Sequence, residues 1–307
     1  MLDAHPELAI PPETRFIPDA VTSGAATDPT RLLAHISRHP LFPDLQLDGD
    51  ELLRRWQQLR PFDATAAFRA MFGLYAARHG KSRWGDKSPQ DHDAQQMPLL
   101  AEVFPEACFI HIVRDGRDVH LSQRRAWAVR HESGYAAGDW ARWVGEAREA
   151  GRALGARYVE LRFEDLVEEP ERELRRVCDA VRLDFDPAML RSHEGAASRL
   201  EEIRRPVVWP TGGYVFAADE RVSLLALTTE PPRTARVGLW RVEMPPLDRW
   251  AFDARAGETL AALRYEVASR PALAAGRVAS RLQNTRAWRF IDTLQRWLWR
   301  YSKYSSP

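Results

Sequence analysis

Cysteine is scarce in this chain, which also lacks a strong net charge and long apolar runs. Its 307 residues include two cysteines, Cys108 and Cys178, far apart in sequence. Two such residues make neither a disulfide framework nor a zinc site, so we predict no metal and a reducing, cytoplasmic compartment. We interpret Cys108 as a small buried apolar residue of a strand.

The weak charge and the short apolar runs argue against two further classes of protein. The formal net charge is +1, so nothing global indicates a nucleic-acid partner. No apolar run approaches the roughly 18 residues that span a bilayer. The opening sequence MLDAHPELAI has neither the basic region nor the apolar core of a signal peptide. With 45% hydrophobic residues, the chain can bury an ordinary core.

The most informative segment is 108–122, which reads CFIHIVRDGRDVHLS. The apolar run Cys108–Val113 predicts a buried strand, and Arg117–Ser122 the first turns of a helix. A helix that begins after a strand presents unpaired N–H groups and the positive end of its dipole, which favour an anion. Arg114 adds a guanidinium suited to a phosphate, and the Ser122 hydroxyl can face the same pocket. The segment therefore predicts a phosphate site.

Short apolar segments alternate with helical periodicity, which predicts an α/β protein with a parallel sheet and crossover helices. Predicted strands cover Leu8–Ile10, Cys108–Val113 and Arg157–Leu161. Predicted helices cover Pro29–Ser37, Asp48–Leu59, Asp63–Arg78, Asp91–Val103, Ala137–Leu154, Pro170–Val181 and Pro246–Leu263. Residues 84–89 are interpreted as a turn-rich break. Residues 198–239, rich in proline and containing Gly212–Gly213, predict a long, partly ordered loop.

The C-terminal residues differ in composition from the rest. We predict an α/β domain over 1–267 and a basic aromatic helical tail over 268–307. Apolar residues of the tail recur at helical spacing at Trp288, Ile291, Leu294, Leu298 and Tyr301. The stretch 271–307 could lie on an anionic membrane surface, or it could pack on the domain or contact a partner and leave its arginines in water. We favour packing or partner contact.

Four segments, taken together, resemble a known family. They are AHPELAIPPETRFIP (4–18), RWGDKSP (83–89), FIHIVRDGRDVHLS (109–122) and ELRFEDLVEEP (160–170), with a weaker echo, GLWR, at 238–241. In this order they resemble the sulfotransferases that use 3′-phosphoadenosine 5′-phosphosulfate (PAPS), most nearly the tyrosylprotein-sulfotransferase-like and bacterial branch. The resemblance implies a P-loop NTPase-like parallel sheet flanked by helices, and transfer of a sulfuryl group from PAPS to a hydroxyl acceptor.

The resemblance also implies which residues bind the donor. In that family an Arg-x7-Ser element binds the 3′-phosphate, and here it falls on Arg114 and Ser122. Phe163 stands where the family often has a tyrosine near the adenine, and phenylalanine keeps the stacking face without the hydroxyl. A role for Phe163 as an ordinary core aromatic remains open.

The implied catalytic residues lie in the first two segments. Glu13 matches the glutamate base of the tyrosylprotein branch, and Arg15 could orient it or hold an acidic acceptor. Lys87 matches the lysine that contacts the oxygen bridging sulfate and phosphate, where a cation stabilises the leaving group. Pro89 occupies the position of the catalytic histidine of the cytosolic branch, which favours Glu13 as the base. Asp86 is a fallback base.

One element of the family is not found in this sequence. The glycine-containing loop that binds the 5′-phosphosulfate should lie about twenty residues before Glu13, whereas the chain begins twelve residues before it. We therefore expect that the first strand and this loop are missing and that the N-terminus is truncated. Gly212–Gly213 does not substitute for the loop.

Two functions follow from these expectations. The first is a PAPS-dependent sulfotransferase whose acceptor, a tyrosyl peptide, a sugar or a small natural product, is left open. The second is a catalytically impaired or non-catalytic nucleotide-binding or scaffold protein of the same fold. A P-loop kinase is disfavoured because the sequence has no Walker lysine motif.

Overall fold

The computed structural model describes residues 1–87, 96–126, 133–209 and 215–283, together with positions 285, 288, 291 and 294. Several sequence predictions lie outside the described residues. They concern Pro89, the first five residues of the predicted helix Asp91–Val103, Gly212–Gly213, and Leu298 and Tyr301 of the tail.

The described residues form fourteen α-helices and six short strands, so the α/β class is confirmed. The helices are α1 Ile17–Thr22, α2 Pro29–Ile36, α3 Gly49–Trp56, α4 Ala64–Arg78, α5 Gln96–Val103, α6 Gly116–Ala126, α7 Ser133–Ala153, α8 Phe163–Glu168, α9 Pro170–Val181, α10 Ser192–Leu200, α11 Ala218–Leu225, α12 Trp240–Glu243, α13 Pro246–Ala262 and α14 Arg270–Leu282. The strands are β1 Leu8–Ala9, β2 Arg83–Trp84, β3 Phe109–Val113, β4 Tyr158–Arg162, β5 Val207–Val208 and β6 Val215–Phe216.

These strands form three two-stranded sheets in the described part of the chain. Strands β1 and β2 are parallel, β3 lies beside β4, and β5 and β6 are antiparallel. Strand β2 was not predicted, and the predicted break over 84–89 overlaps it only at Trp84. The sequence does not indicate β2, because it forms through pairing with a segment more than seventy residues away, and two residues carry no periodicity of their own.

The chain divides into two compact units. The first comprises Met1–Phe109 and Glu169–Pro232, and the second comprises Ile110–Glu168 and Arg233–Pro307. The predicted division into 1–267 and a tail from 268 stays a prediction.

Helix α4 is at the centre of the core of the first unit. Phe68, Met71, Phe72 and Tyr75 are spaced as one helical face, as the sequence predicted, and all are almost fully buried. The Asp63 side chain caps the helix by accepting from the Ala66 N–H. The ring of Phe72 stacks on Trp84, with 4.6 Å between centroids. This stacking fixes β2 against the core.

The second unit is built on contacts of α6 and α7 with α13. Val113, at the end of β3, packs with Trp140 and Phe252 in one buried cluster. Gly116 is required at the start of α6, because a Cβ there would lie 2.4 Å from the Trp140 ring. The helix therefore begins against this cluster only with glycine at that position.

Two features of β3 correct the sequence prediction. The strand was expected to be buried, but Val113 is its only buried residue and Ile112 is 53% exposed. Cys108 lies just before the strand and is half-buried rather than buried. A mostly apolar run, interrupted here only by His111, resembles a strand that is covered on both faces. In the structure the run belongs to a two-stranded sheet.

The loop predicted over 198–239 also needs correction. It contains the β5–β6 pair and α11, and three ionic side chains hold its residues up to Pro232 to the rest of the first unit. Arg205 and Arg221 both contact the buried carboxylate of Asp44, at 2.7 and 2.6 Å. A buried carboxylate needs such partners, and no local pattern in the sequence announces them.

Helix α14 packs on α13 within the second unit. Ala279 is buried with Ala251 and Trp288, and Gly276 lies directly against the backbone of Trp250. Of the two arrangements considered for the tail, packing is the one observed for residues 270–282. No helix in the described ranges combines the length and apolar character needed to cross a membrane.

Candidate functional site

The first group of candidate residues follows the ends of β1 and β2. These strands run parallel in the register Leu8↔Arg83 and Ala9↔Trp84, so their carboxyl ends lie at the same edge. The pairing continues one residue further, where the Gly85 N–H donates to the Ala9 carbonyl at 2.9 Å. The segments that leave this edge carry Glu13 and Lys87. Ligand and catalytic groups of α/β proteins commonly occupy such an edge.

Two cations contact the Glu13 carboxylate. Lys87 Nζ donates to Oε1 at 3.0 Å, and Arg15 Nε donates to Oε2 at 2.9 Å. The Glu13 side chain keeps 28% of its surface exposed. Each oxygen accepts one of these bonds and retains a further lone pair, so the carboxylate can still accept a proton. The three residues predicted for catalysis are thus brought together by the structure.

The backbone around Glu13 is held in an unusual conformation. Arg15 has a left-handed φ of 55°, which costs a non-glycine residue energy and is common at functional sites. Thr14 is fully buried, and its hydroxyl donates to both oxygens of Asp86 at 3.1 Å. Asp86, considered as a fallback base, thereby joins the two segments.

An aromatic cluster continues directly from this loop. Phe16 packs edge-on against His39, with 5.4 Å between ring centroids, and Trp209 also packs edge-on against His39, at 5.7 Å. Burial lowers the pKa of His39 to about 4, so this ring is neutral at neutral pH. Sequence reasoning missed these neighbours because His39 and Trp209 lie in segments that carry no motif.

The second group lies in the second unit, after β3 and β4. Arg114 follows β3 and places its guanidinium over the Phe163 ring, 4.8 Å from the centroid. Its NH2 group donates to the Arg236 carbonyl at 2.8 Å, while its Nε is buried and has no hydrogen-bond partner among the described residues. Ser122 is the seventh residue of α6 and is half-buried. Arg114 and Phe163, both predicted to bind donor, are in contact.

The start of α6 differs from the expected row of outward-facing N–H groups. Asp115 accepts from the Arg117 N–H at 2.9 Å and so caps the helix itself. Residues 115–118 are all buried. Part of the expected anion-binding capacity is therefore used internally, and the side chains of Arg114 and Ser122 remain as the predicted phosphate contacts.

Arg117 forms the centre of a buried ionic cluster. Its guanidinium donates to both oxygens of Asp115, at 3.0 and 2.7 Å, and to Asp253 at 3.1 Å. It also lies over the Trp240 ring, 3.5 Å from the centroid. Such a charge tolerates burial only because its donors are paired. The cluster fixes α6 to α13.

Asp118 binds the backbone of the GLWR segment, residues 238–241. Its carboxylate accepts from the N–H groups of Gly238 and Trp240 at 2.7 and 2.9 Å, which holds residues 238–241 against α6. Burial raises the pKa of Asp118. Sequence reasoning missed this role, although an acid in the first turn of a helix was a visible signal. Asp253 carried no such signal.

No group of three His, Cys, Asp or Glu side chains that could hold a metal ion is found in the ranges that the structure describes. The candidate groups consist of cationic and carboxylate side chains, types that can bind an anion and accept a proton.

Comparison with known proteins identifies the class. The structure is similar to the sulfotransferase domain from the curacin biosynthetic pathway, with a TM-score of 0.55 and 16% identity over 87% of this chain and 92% of that one. It is also similar to the sulfotransferase domain from the Synechococcus PCC 7002 olefin synthase, with a TM-score of 0.54 and 20% identity over 87% and 89%. These similarities show the fold.

Sequence comparison gives the family. The profile of the Sulfotransferase family matches residues 1–187, and the chain belongs to that family. It is also 24% identical over 204 residues to a Caenorhabditis briggsae protein named "Putative protein-tyrosine sulfotransferase". That alignment spans 63% of this chain and 63% of the relative.

Proposed function

We propose that this protein transfers a sulfuryl group from PAPS to a hydroxyl acceptor. The observation that carries the proposal is the contact of Glu13 with Lys87 at the shared edge of β1 and β2. Both residues lie inside the span that the family profile matches. A carboxylate and a lysine side by side supply a proton acceptor and a cation for a departing anion.

Glu13 would take the acceptor proton. As the acceptor oxygen attacks sulfur, its O–H bond breaks and the proton moves to a Glu13 oxygen. A new S–O bond forms while the bond from sulfur to the bridging oxygen breaks, and adenosine 3′,5′-bisphosphate leaves. Lys87 Nζ would stabilise the charge that builds on that oxygen. Arg15 would keep the carboxylate oriented through its 2.9 Å bond.

Arg114, Ser122 and Phe163 would bind the donor's nucleotide. The Arg114 Nε is buried and has no hydrogen-bond partner among the described residues, so a phosphate oxygen accepting from it would satisfy a donor that otherwise costs stability. Ser122 would add a hydroxyl to the same phosphate. Phe163, already against the guanidinium, would offer its ring to the adenine.

The acceptor is proposed at the level of a hydroxyl group. The name of the C. briggsae relative mentions protein tyrosine, which makes tyrosyl peptides the first acceptors to test. The P-loop-like sheet, the expectation that the 5′-phosphosulfate loop is missing, and the cytoplasmic location stay predictions.

The test combines binding with turnover. Calorimetry with adenosine 3′,5′-bisphosphate should show binding that weakens about tenfold to a hundredfold in Arg114→Ala, as expected for losing a charged contact to phosphate. Arg125→Ala is the matched control, because Arg125 lies on α6 and pairs with Glu243 at the surface. Equal affinity in all three proteins would refute the proposed donor site.

Turnover is measured with radiolabelled PAPS and a panel of tyrosyl peptides, sugars and phenols. Glu13→Gln keeps the size of the side chain, but its amide cannot take the proton and its single oxygen can accept from only one of Lys87 and Arg15, so we expect kcat to fall about a hundredfold or more. Unchanged kcat in this variant would remove Glu13 as the base.

A further inference from the structure

We propose that Arg199 is a positioning residue for Glu13 and acts through the backbone of Ile10. The inference rests on the proposed function, because it concerns the orientation of the proposed base. Arg199 lies on α10, 186 positions after Glu13 in the sequence. Both residues belong to the first unit.

Ile10 is held at both of its backbone polar groups. Its N–H donates to Asp3 Oδ1 at 2.8 Å, and its carbonyl accepts from Arg199 NH2 at 2.8 Å. Arg199 Nε in turn donates to Asp3 Oδ2 at 2.8 Å. The three residues therefore form a closed ring of hydrogen bonds, which we call the Ile10 clamp. It takes the place of a strand partner just beyond the last paired residue of β1.

The link from the clamp to Glu13 is stiff. Pro11 and Pro12 separate Ile10 from Glu13, and each proline ring locks φ near −65°. The Ile10 side chain lies against the backbone that follows β2, because its Cδ1 is 2.6 Å from where a Cβ on Gly85 would stand. A short segment with so little torsional freedom transmits the position of the Ile10 carbonyl to Glu13.

A guanidinium is the group that can serve this clamp. Besides Ile10 and Asp3, Arg199 contacts the Tyr75 hydroxyl at 2.5 Å and pairs with Glu202. The Tyr75 hydroxyl donates to Glu202 at 2.7 Å. Lysine carries one donor centre and cannot reach these separated acceptors at once. Among the described residues, none of these hydrogen bonds and ion pairs of Arg199 involves Glu13, so its effect on the reaction would pass through the backbone.

The test uses Arg199→Lys, which keeps the charge, and Arg204→Lys as its matched control. Arg204 is 44% exposed and pairs with Glu201 and Asp219 at the surface. Hydrogen exchange of the amides of Ile10 and residues 13–16 should become at least about tenfold faster in Arg199→Lys, with α4 still protected. Against the acceptor, kcat should fall about tenfold to a hundredfold while KM and the affinity for adenosine 3′,5′-bisphosphate stay nearly constant.

A second variant distinguishes loss of the clamp from general unfolding. Asp3→Asn keeps an oxygen for the Ile10 N–H but loses the ion pair, so it should reproduce the exchange pattern of Arg199→Lys in milder form. Unchanged exchange over residues 10–16 in both variants overturns the clamp, and so does faster exchange spread equally over α4. Absence of turnover in the unmodified protein would refute the proposed function, while the exchange data would still decide whether the Ile10 clamp holds residues 10–16.

Discussion

Replacing Asp118 by asparagine turns one oxygen of a buried carboxylate into an NH2 group and removes its charge. In the structure both oxygens are used: Oδ2 accepts from the Gly238 N–H at 2.7 Å, and Oδ1 accepts from the Trp240 N–H at 2.9 Å. Asparagine offers a single acceptor oxygen. One buried N–H group therefore loses its partner and faces another donor.

The size of the effect follows from these two bonds. A hydrogen bond to a charged group contributes about 1.5–3 kcal/mol, and a buried donor left unsatisfied costs about 1–3 kcal/mol. Because the two effects overlap, we expect the free energy of unfolding to drop by about 2–4 kcal/mol. At roughly 3–4 °C for each kcal/mol, the Tm of the second unit should fall by roughly 6–16 °C.

The loss should also reach the proposed donor site. Arg236 lies two residues before Gly238, and its carbonyl accepts from Arg114 NH2 at 2.8 Å. The substitution also removes the carboxylate charge that lies 3.9 Å from Arg114 NH2. When residues 238–240 loosen as well, Arg114 loses both of these partners and becomes less preorganised. Affinity for adenosine 3′,5′-bisphosphate should then weaken about threefold to tenfold.

Thermal and urea unfolding of Asp118→Asn are compared with those of Asp139→Asn. Asp139 lies on α7 and pairs at 3.2 Å with Arg142, whose side chain is 50% exposed, so its replacement should cost less than about 1 kcal/mol. If Asp118→Asn is as stable as this control, the contacts of Asp118 do not hold residues 238–240 and the reasoning is wrong.

Three further predictions concern stability. Burial lowers the pKa of His39 to about 4, so the unfolded state binds more protons than the folded state between about pH 6.5 and 4. The protein should therefore lose stability relative to His39→Phe as the pH falls through that window. Equal urea midpoints of the two proteins at every pH in the window would contradict this. Gly276→Ala places a Cβ 2.0 Å from the Trp250 carbonyl oxygen and should lower the free energy of unfolding by about 1–3 kcal/mol in thermal melts. Gly138 has open space around it, so Gly138→Ala should leave the free energy of unfolding unchanged or raise it by up to about 1 kcal/mol. Arg83→Gln removes the donors that satisfy two carbonyls at the end of α9 and should cost about 1–2 kcal/mol in urea unfolding; no loss would show that solvent replaces them.

Local signals explain what could be predicted from the sequence. Helix α9 was predicted with its observed bounds, Pro170–Val181, because proline is favoured at its start and its apolar residues recur at helical spacing. Asp63 and the helical face of α4 made Ala64–Arg78 similarly clear. In each case the deciding residues lie within the element itself.

Long-range partners explain what could not be predicted. Strand β2 exists because it pairs with β1, and the burial of β3 depends on neighbours that its own apolar run does not specify. The same division applies to the candidate site. Family motifs singled out Glu13 and Lys87, whereas the bonds that Asp118 and Arg199 make with distant segments become visible only in the folded chain.

The family profile stops at residue 187, yet the fold does not divide there. The buried Arg117 requires Asp253 from α13, and the cluster around Val113 and Trp140 is completed by Phe252. A protein shortened to the matched residues would leave Arg117 without Asp253 and the cluster without Phe252, and it should be recovered as insoluble material. Chimaeras made within this family would therefore need breakpoints chosen by tertiary contact rather than by the limits of sequence similarity.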